Sequence, residues 1–113
     1  MKRAIAAAAA LAASASLAVP AIASASPSAS YVASAVQRQY STQVRNRAAL
    51  SGIGVSSITV RCAADGGYTY TCYATYVAYV RGVHAKYGIY IDVSGSNLRW
   101  HTVGTAATLL SEW

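Results

Sequence analysis

The sequence predicts an α+β fold: one N-terminal helix packed on a four-stranded antiparallel meander sheet, with one cross-strand disulfide. Three observations predict it. Apolar residues recur at a helical interval between Tyr31 and Leu50. The interval then falls to two for most of the remaining chain. The only two cysteines, Cys62 and Cys72, flank the turn signal Asp65-Gly66-Gly67.

The chain opens with the layout of an export signal. Lys2 and Arg3 supply positive charge, and Ala4 to Val19 carries none. Pro20 then breaks the run ahead of two small-x-small sites, Ala21-Ile22-Ala23 and Ala23-Ser24-Ala25. A membrane-spanning helix needs about 20 strongly apolar residues. This run is mostly alanine and contains Ser14 and Ser16, so its partition into lipid is weak. The reading is therefore a signal peptide over residues 1–25, cut near Ala23 or Ala25, and a secreted or extracellular protein with no membrane span after cleavage. Residues 26–30 follow as a flexible mature N-terminus, small and polar. Residues 31–113 form one small domain, within a mature chain of about 88 residues.

Each element has its own signal. Val32, Val36, Tyr40 and Val44 recur every four residues and share one side of a helical wheel with Ala33 and Leu50. Ser34, Arg38, Thr42 and Arg45 lie opposite. Ser28 or Ser30 caps the start and Gly52 ends a helix of about residues 31–50. Beyond Gly54, VSSITVRCAA is the first strand, with Ile58, Val60 and Cys62 on one face. Tyr68 to Val80 is the second. On it Tyr68, Tyr70, Cys72, Ala74, Tyr76, Ala78 and Val80 share one side, and Thr69, Thr71, Tyr73, Thr75, Val77 and Tyr79 the other.

The first side alternates bulky with small residues, as a face under a helix does, and the second is threonine-rich like a solvated face. Arg81-Gly82 turns the chain into a third strand, where Ala85, Tyr87, Ile89, Ile91 and Val93 point inward. Ser94-Gly95-Ser96-Asn97 turns it again into LRWHTV, the fourth. The tail AATLLSEW fits a helical turn or an extra strand. A hairpin turning near Gly67 sets Cys62 opposite Cys72, and an oxidising compartment makes the disulfide the default. The C-x9-C spacing fits neither a zinc pattern nor a redox C-x-x-C pair.

A helix followed by VRC, a glycine turn and YTYTC resembles small exported domains of unknown function from high-GC Gram-positive bacteria. The helix-plus-meander order resembles the cystatin-like class of folds. The resemblance implies export and a disulfide, and brings no catalytic residue with it. Protease inhibition in the cystatin manner needs a glycine-containing N-terminal segment and a Gln-x-Val-x-Gly hairpin, and neither occurs.

The residues point away from catalysis. Asp65, Asp92 and Glu112 are the only carboxylic side chains, dispersed over a turn, a strand and the tail. No G-x-S-x-G elbow accompanies His84 and His101, which read as solvent-facing, with the partner of His101 expected near residues 89–91. No catalytic residue, metal ligand or cofactor is assigned. Outside the signal, seven basic side chains against three acidic ones leave a net charge of +4.

Arg61, Arg81, Lys86 and Arg99 mix on the strands with Tyr73, Tyr79, Tyr90 and Trp100. Stacking platforms for nucleic acid use such residues, but no RNP-like sequence occurs, so a polyanion or nucleic acid ranks last among partners. The expected function is a non-catalytic binding or accessory module of the envelope or extracellular space. The alternative is an inhibitor-like secreted protein acting on another protein. The candidate binding surface is Tyr73, Tyr79, Arg61 and Arg99, toward an envelope polymer or an extracellular protein.

Overall fold

The structure, a computed structural model, describes residues 26–104 and 106–113 and the backbone of 14–16. The expected signal over residues 1–25 otherwise lies outside the described residues. The elements are β1 (Ser14–Ser16), α1 (Ala29–Leu50), β2 (Gly54–Gly66), β3 (Thr69–Val80), β4 (Val83–Ser94), β5 (Arg99–Thr102) and β6 (Thr108–Glu112). All strand pairings are antiparallel, in the order β1-β5-β4-β3-β2. The predicted helix and four-stranded meander are both present.

Helix α1 starts two residues earlier than its apolar period suggests, because Ser28 caps it: the Ser28 hydroxyl accepts from the Tyr31 N–H at 3.2 Å. Its end is the expected one. Gly52 sits at φ +70 and the Ile53 N–H donates to the Ala48 carbonyl at 2.9 Å. The buried helix residues are Val32, Ala35, Val36, Tyr40, Val44 and Ala48. Leu50, placed by the wheel on the apolar side, is instead 84% exposed. The chain turns immediately after it, and Ile53 fills the core there.

The first hairpin follows the expected register. Cys62 pairs directly with Cys72, and the two form the disulfide with Cα atoms 3.9 Å apart. Strand β2 carries a bulge between Ser56 and Thr59, where Ser57 takes φ +53. Val80 and Val83 pair across Arg81 and Gly82, both at positive φ, as a two-residue hairpin turn requires. The tail becomes a strand. β3 occupies one edge of β4 along its length, so β5 and β6 share the other, β5 opposite residues 91–94 and β6 opposite residues 85–88. β5 and β6 thus line one edge of β4 in succession.

With no phenylalanine in the chain, the core is built on tyrosine and tryptophan. Tyr40 packs on Tyr76 at 6.4 Å between ring centroids and on Trp100 at 6.1 Å, and Tyr76 stacks on Tyr87 at 5.7 Å. Ala74 and Ala78, both fully buried on β3, leave room for the helix. Polar tips keep partners: the Trp100 Nε1–H donates to Gln39 Oε1 at 2.8 Å, and the Tyr70 hydroxyl donates to the Pro27 carbonyl. Trp100, grouped from sequence with the surface aromatics, is therefore a core residue. It lies on the inner side of β5, opposite Val93.

Two predictions follow from this core. The disulfide closes a ten-residue separation, so reduction should cost about 2.5–3 kcal/mol, read as the urea-midpoint difference between oxidised and reduced protein. Burial raises the pKa of Tyr40 and Tyr76 well above the ordinary tyrosine value, with neighbouring tyrosines adding to the shift at Tyr76. In the unfolded chain both hydroxyls ionise near pH 10, while in the folded protein they stay protonated. Stability should accordingly hold below about pH 9 and fall above about pH 10, approaching 2.7 kcal/mol per pH unit for two groups. Denaturant titrations from pH 8 to 11 check this; a flat profile would place both rings in water.

Candidate binding surface

Strand alternation sends the odd-numbered residues of β3 to the face away from the helix, and the cross-strand register arranges that face in rows. Arg61, Tyr73 and Tyr90 are consecutive partners on β2, β3 and β4. The rings of Tyr73 and Tyr90 meet at 4.7 Å between centroids. At one end of the sheet, Gly54, Tyr79 and His84 are partners across the same three strands, and Trp113 continues the row. Trp113 exchanges both backbone hydrogen bonds with His84, at 2.7 and 2.8 Å. The Tyr79 and His84 rings lie 5.9 Å apart, and His84 stacks on Trp113 at 5.6 Å with an interplanar angle of 9°.

The four sequence-predicted residues all lie on strands, but not as one cluster. Arg61 and Tyr73 are neighbours. Tyr79 stands six residues along β3 from Tyr73, about 20 Å away. Arg99 is opposite Ser94 at the far corner, ten residues along β4 from the partner of Tyr79, or about 34 Å in the strand direction. No single small ligand spans them.

Two of the tyrosines also have a packing role. The end of the Tyr73 ring lies over Gly88, and the Tyr79 ring over Gly54. A Cβ on either glycine would run into the ring, and Leu110 Cδ1 would stand 3.2 Å from one on Gly88. Tyr73 is therefore half-buried, and Tyr79 only 43% exposed. The residues most open to a partner are others: Tyr90 at 56% and Trp113 at 61%, with Leu110 and Val103 also exposed. Tyr90 was visible in the alternation of β4. Trp113 was not, since nothing in the sequence pairs the tail with β4.

The titratable side chains take different places from those expected. His84 is partly covered by its two ring neighbours rather than facing open solvent. His101 pairs with Asp92, beyond the expected residues 89–91, because the turn extends through Leu98 at φ +49 and shifts the register. His101 Nε2 stands 4.0 Å from Asp92 Oδ2, with both side chains more than half exposed. Thr71, opposite Asp92 on β3, donates its hydroxyl to Asp65 Oδ2 at 2.6 Å. Among the described residues, no three His, Cys, Asp or Glu side chains gather as a metal site would require. No helix among them is long and apolar enough to cross a membrane.

No family model matches the chain, and neither the curated proteins nor the solved structures contain a match.

The seat of Tyr73 on Gly88 can be checked directly. Gly88→Ala should push the ring aside, break its contact with Tyr90 and cost about 1 kcal/mol. In a Tyr73→Ala background the same substitution should be neutral or stabilising, since alanine outperforms glycine in a strand by about 0.5–1 kcal/mol. A double-mutant cycle by urea denaturation measures the coupling, and additive effects would mean that the ring does not rest on Gly88.

Proposed function

We propose that this chain is an exported, non-catalytic binding module of the cell envelope or extracellular space, which grips its partner with the sheet face turned away from the helix. The signal-like residues 1–25 and the disulfide support export. One observation carries the binding reading: Tyr90 and Trp113 stand more than half exposed on a face where Tyr73, Tyr79 and His84 already pack against them or their neighbours. Large aromatic side chains left in water cost solubility and add nothing to this core, whereas at an interface they supply area at small entropic cost. Arg61 beside Tyr73 adds a fixed set of donors. The partner is an envelope polymer or an extracellular protein.

The test uses Tyr90→Ser combined with Trp113→Ser, because neither ring covers a glycine. The double variant should melt within a few degrees of the parent and lose at least about tenfold in retention on the producing cell's surface material. Retention on purified wall polymer and on the protein fraction, assayed separately, identifies the class of partner. Unchanged retention on both would overturn the proposal.

A further inference from the structure

Strand β2 ends the sheet: β3 pairs with one of its edges, and among the described residues no strand occupies the other. One hydrogen bond gives the polarity of that free edge. The Val60 N–H donates to Gln37 Oε1 on the helix at 3.2 Å, so it points away from β3. In an antiparallel strand every second residue turns its N–H and C=O the same way. The register is unbroken from Val60 through Ala64, so Cys62 and Ala64 present both groups on this edge as well. The close Cα spacing of Cys62 and Cys72, 3.9 Å, agrees, since it marks a pair that exchanges no backbone hydrogen bonds.

A groove of about 490 Å³ runs along the edge, with Ala33, Ser34 and Gln37 on the helix wall and Val60, Arg61 and Cys62 on the strand wall. The small helix residues let a backbone come close. A second hollow of about 400 Å³ shares Ser34 and Gln37 and extends the groove to Arg38 and Arg45. Helix α1 contains three arginines and no acidic residue. Among the described residues, Arg38, Arg45 and Arg61 take part in no ion pair.

These charges choose the occupant. A second copy of the chain, adding its own β2 across a two-fold axis, would set the two helices on the same side of the joined sheet and crowd their arginines together, which opposes pairing. An acidic segment meets the opposite condition. We propose that the β2 edge accepts an extended acidic peptide as an added strand. Its main chain bonds Cys62 and Ala64, and its carboxylates, all on the helix side of the added strand, meet Arg38 and Arg45. This surface is distinct from the aromatic face, and its test is independent of that reading.

The probes are a blocked ten-residue peptide alternating aspartate with valine, its lysine-for-aspartate counterpart, and inorganic polyphosphate, each titrated against the oxidised full chain. Fluorescence anisotropy should show binding of the aspartate peptide alone among the two peptides, weakened about tenfold by Arg38→Ala with Arg45→Ala. Amide exchange at Cys62 and Ala64 should slow at least about tenfold on binding, because the added strand covers those N–H groups. N-methylation of alternate peptide nitrogens, in both phases, should abolish binding in one phase only. Failure of the aspartate peptide to bind overturns the proposal. So does polyphosphate binding equally well while the peptide leaves both amides unprotected, which would reduce the groove to a patch of positive charge. A concentration-dependent dimer that protects the same amides would assign the edge to a second copy instead.

Discussion

The pairing of Cys62 with Cys72 is the constraint on which the rest of the structure depends. Once those residues face each other, every residue of β3 is assigned a side, because side chains alternate strictly along a strand. Tyr70, Ala74, Tyr76 and Ala78 fall under the helix, and Thr71, Tyr73, Thr75 and Tyr79 fall away from it. A slip of one residue would move the whole apolar set to the solvent face. The covalent bond forbids that slip. The same register propagates to β4 through an unbroken run of partners from residues 70 and 93 to residues 80 and 83. The position of Tyr90 beside Tyr73 thus follows from the same register, one strand beyond the disulfide.

Tyrosine as the main core aromatic brings a second constraint. A phenylalanine would need only space, but each buried phenol needs a partner for its hydroxyl or must bear its desolvation. Tyr70 meets the need by donating to Pro27, which ties the segment before α1 to the second strand. Trp100 does the same through Gln39 and so links β5 to the helix. These bonds fasten the helix to the sheet at sites that hydrophobic contact alone would leave free to slide. The helix is therefore positioned by polar tips as well as by its valine row.

Much of this was legible in the sequence, and the exceptions share a cause. The helix, the hairpins, the disulfide and the inward face of β4 follow from periodicity and turn chemistry, which are local. The seats of Tyr73 on Gly88 and Tyr79 on Gly54 depend on which glycine the register places across from which ring. A strand pattern shows such glycines only as weak points. The tail depended on the vacant half of the β4 edge: five residues with no alternation gain a strand's hydrogen bonds only where a partner is waiting. The one-residue error at His101 came from Leu98, since a leucine at positive φ carries no sequence signal. Of the four residues proposed for the site, Arg61 and Tyr73 are direct cross-strand partners. Tyr79 and Arg99 were joined to them only because alternation reports a face and not a distance.

The two ends of the sheet order meet water on different terms. β5 is only four residues long, so its outer edge opens little backbone to water even once β1, which lies within the proposed signal, is removed. β2 is thirteen residues long and open for most of its length, which in a small protein invites self-association. Three features limit it. The bulge at Ser57 bends one end away from the flat pairing geometry, Gln37 occupies the N–H of Val60, and Arg61 places a charge in the middle. The bulge and the glutamine act on any incoming strand, whereas the arginine acts on its sign. Positive charge along an edge raises the cost of a like-charged strand and lowers that of an acidic one. The same sign of charge thus opposes a second copy and favours an acidic partner, with Arg61 on one face of the edge and Arg38 and Arg45 on the other.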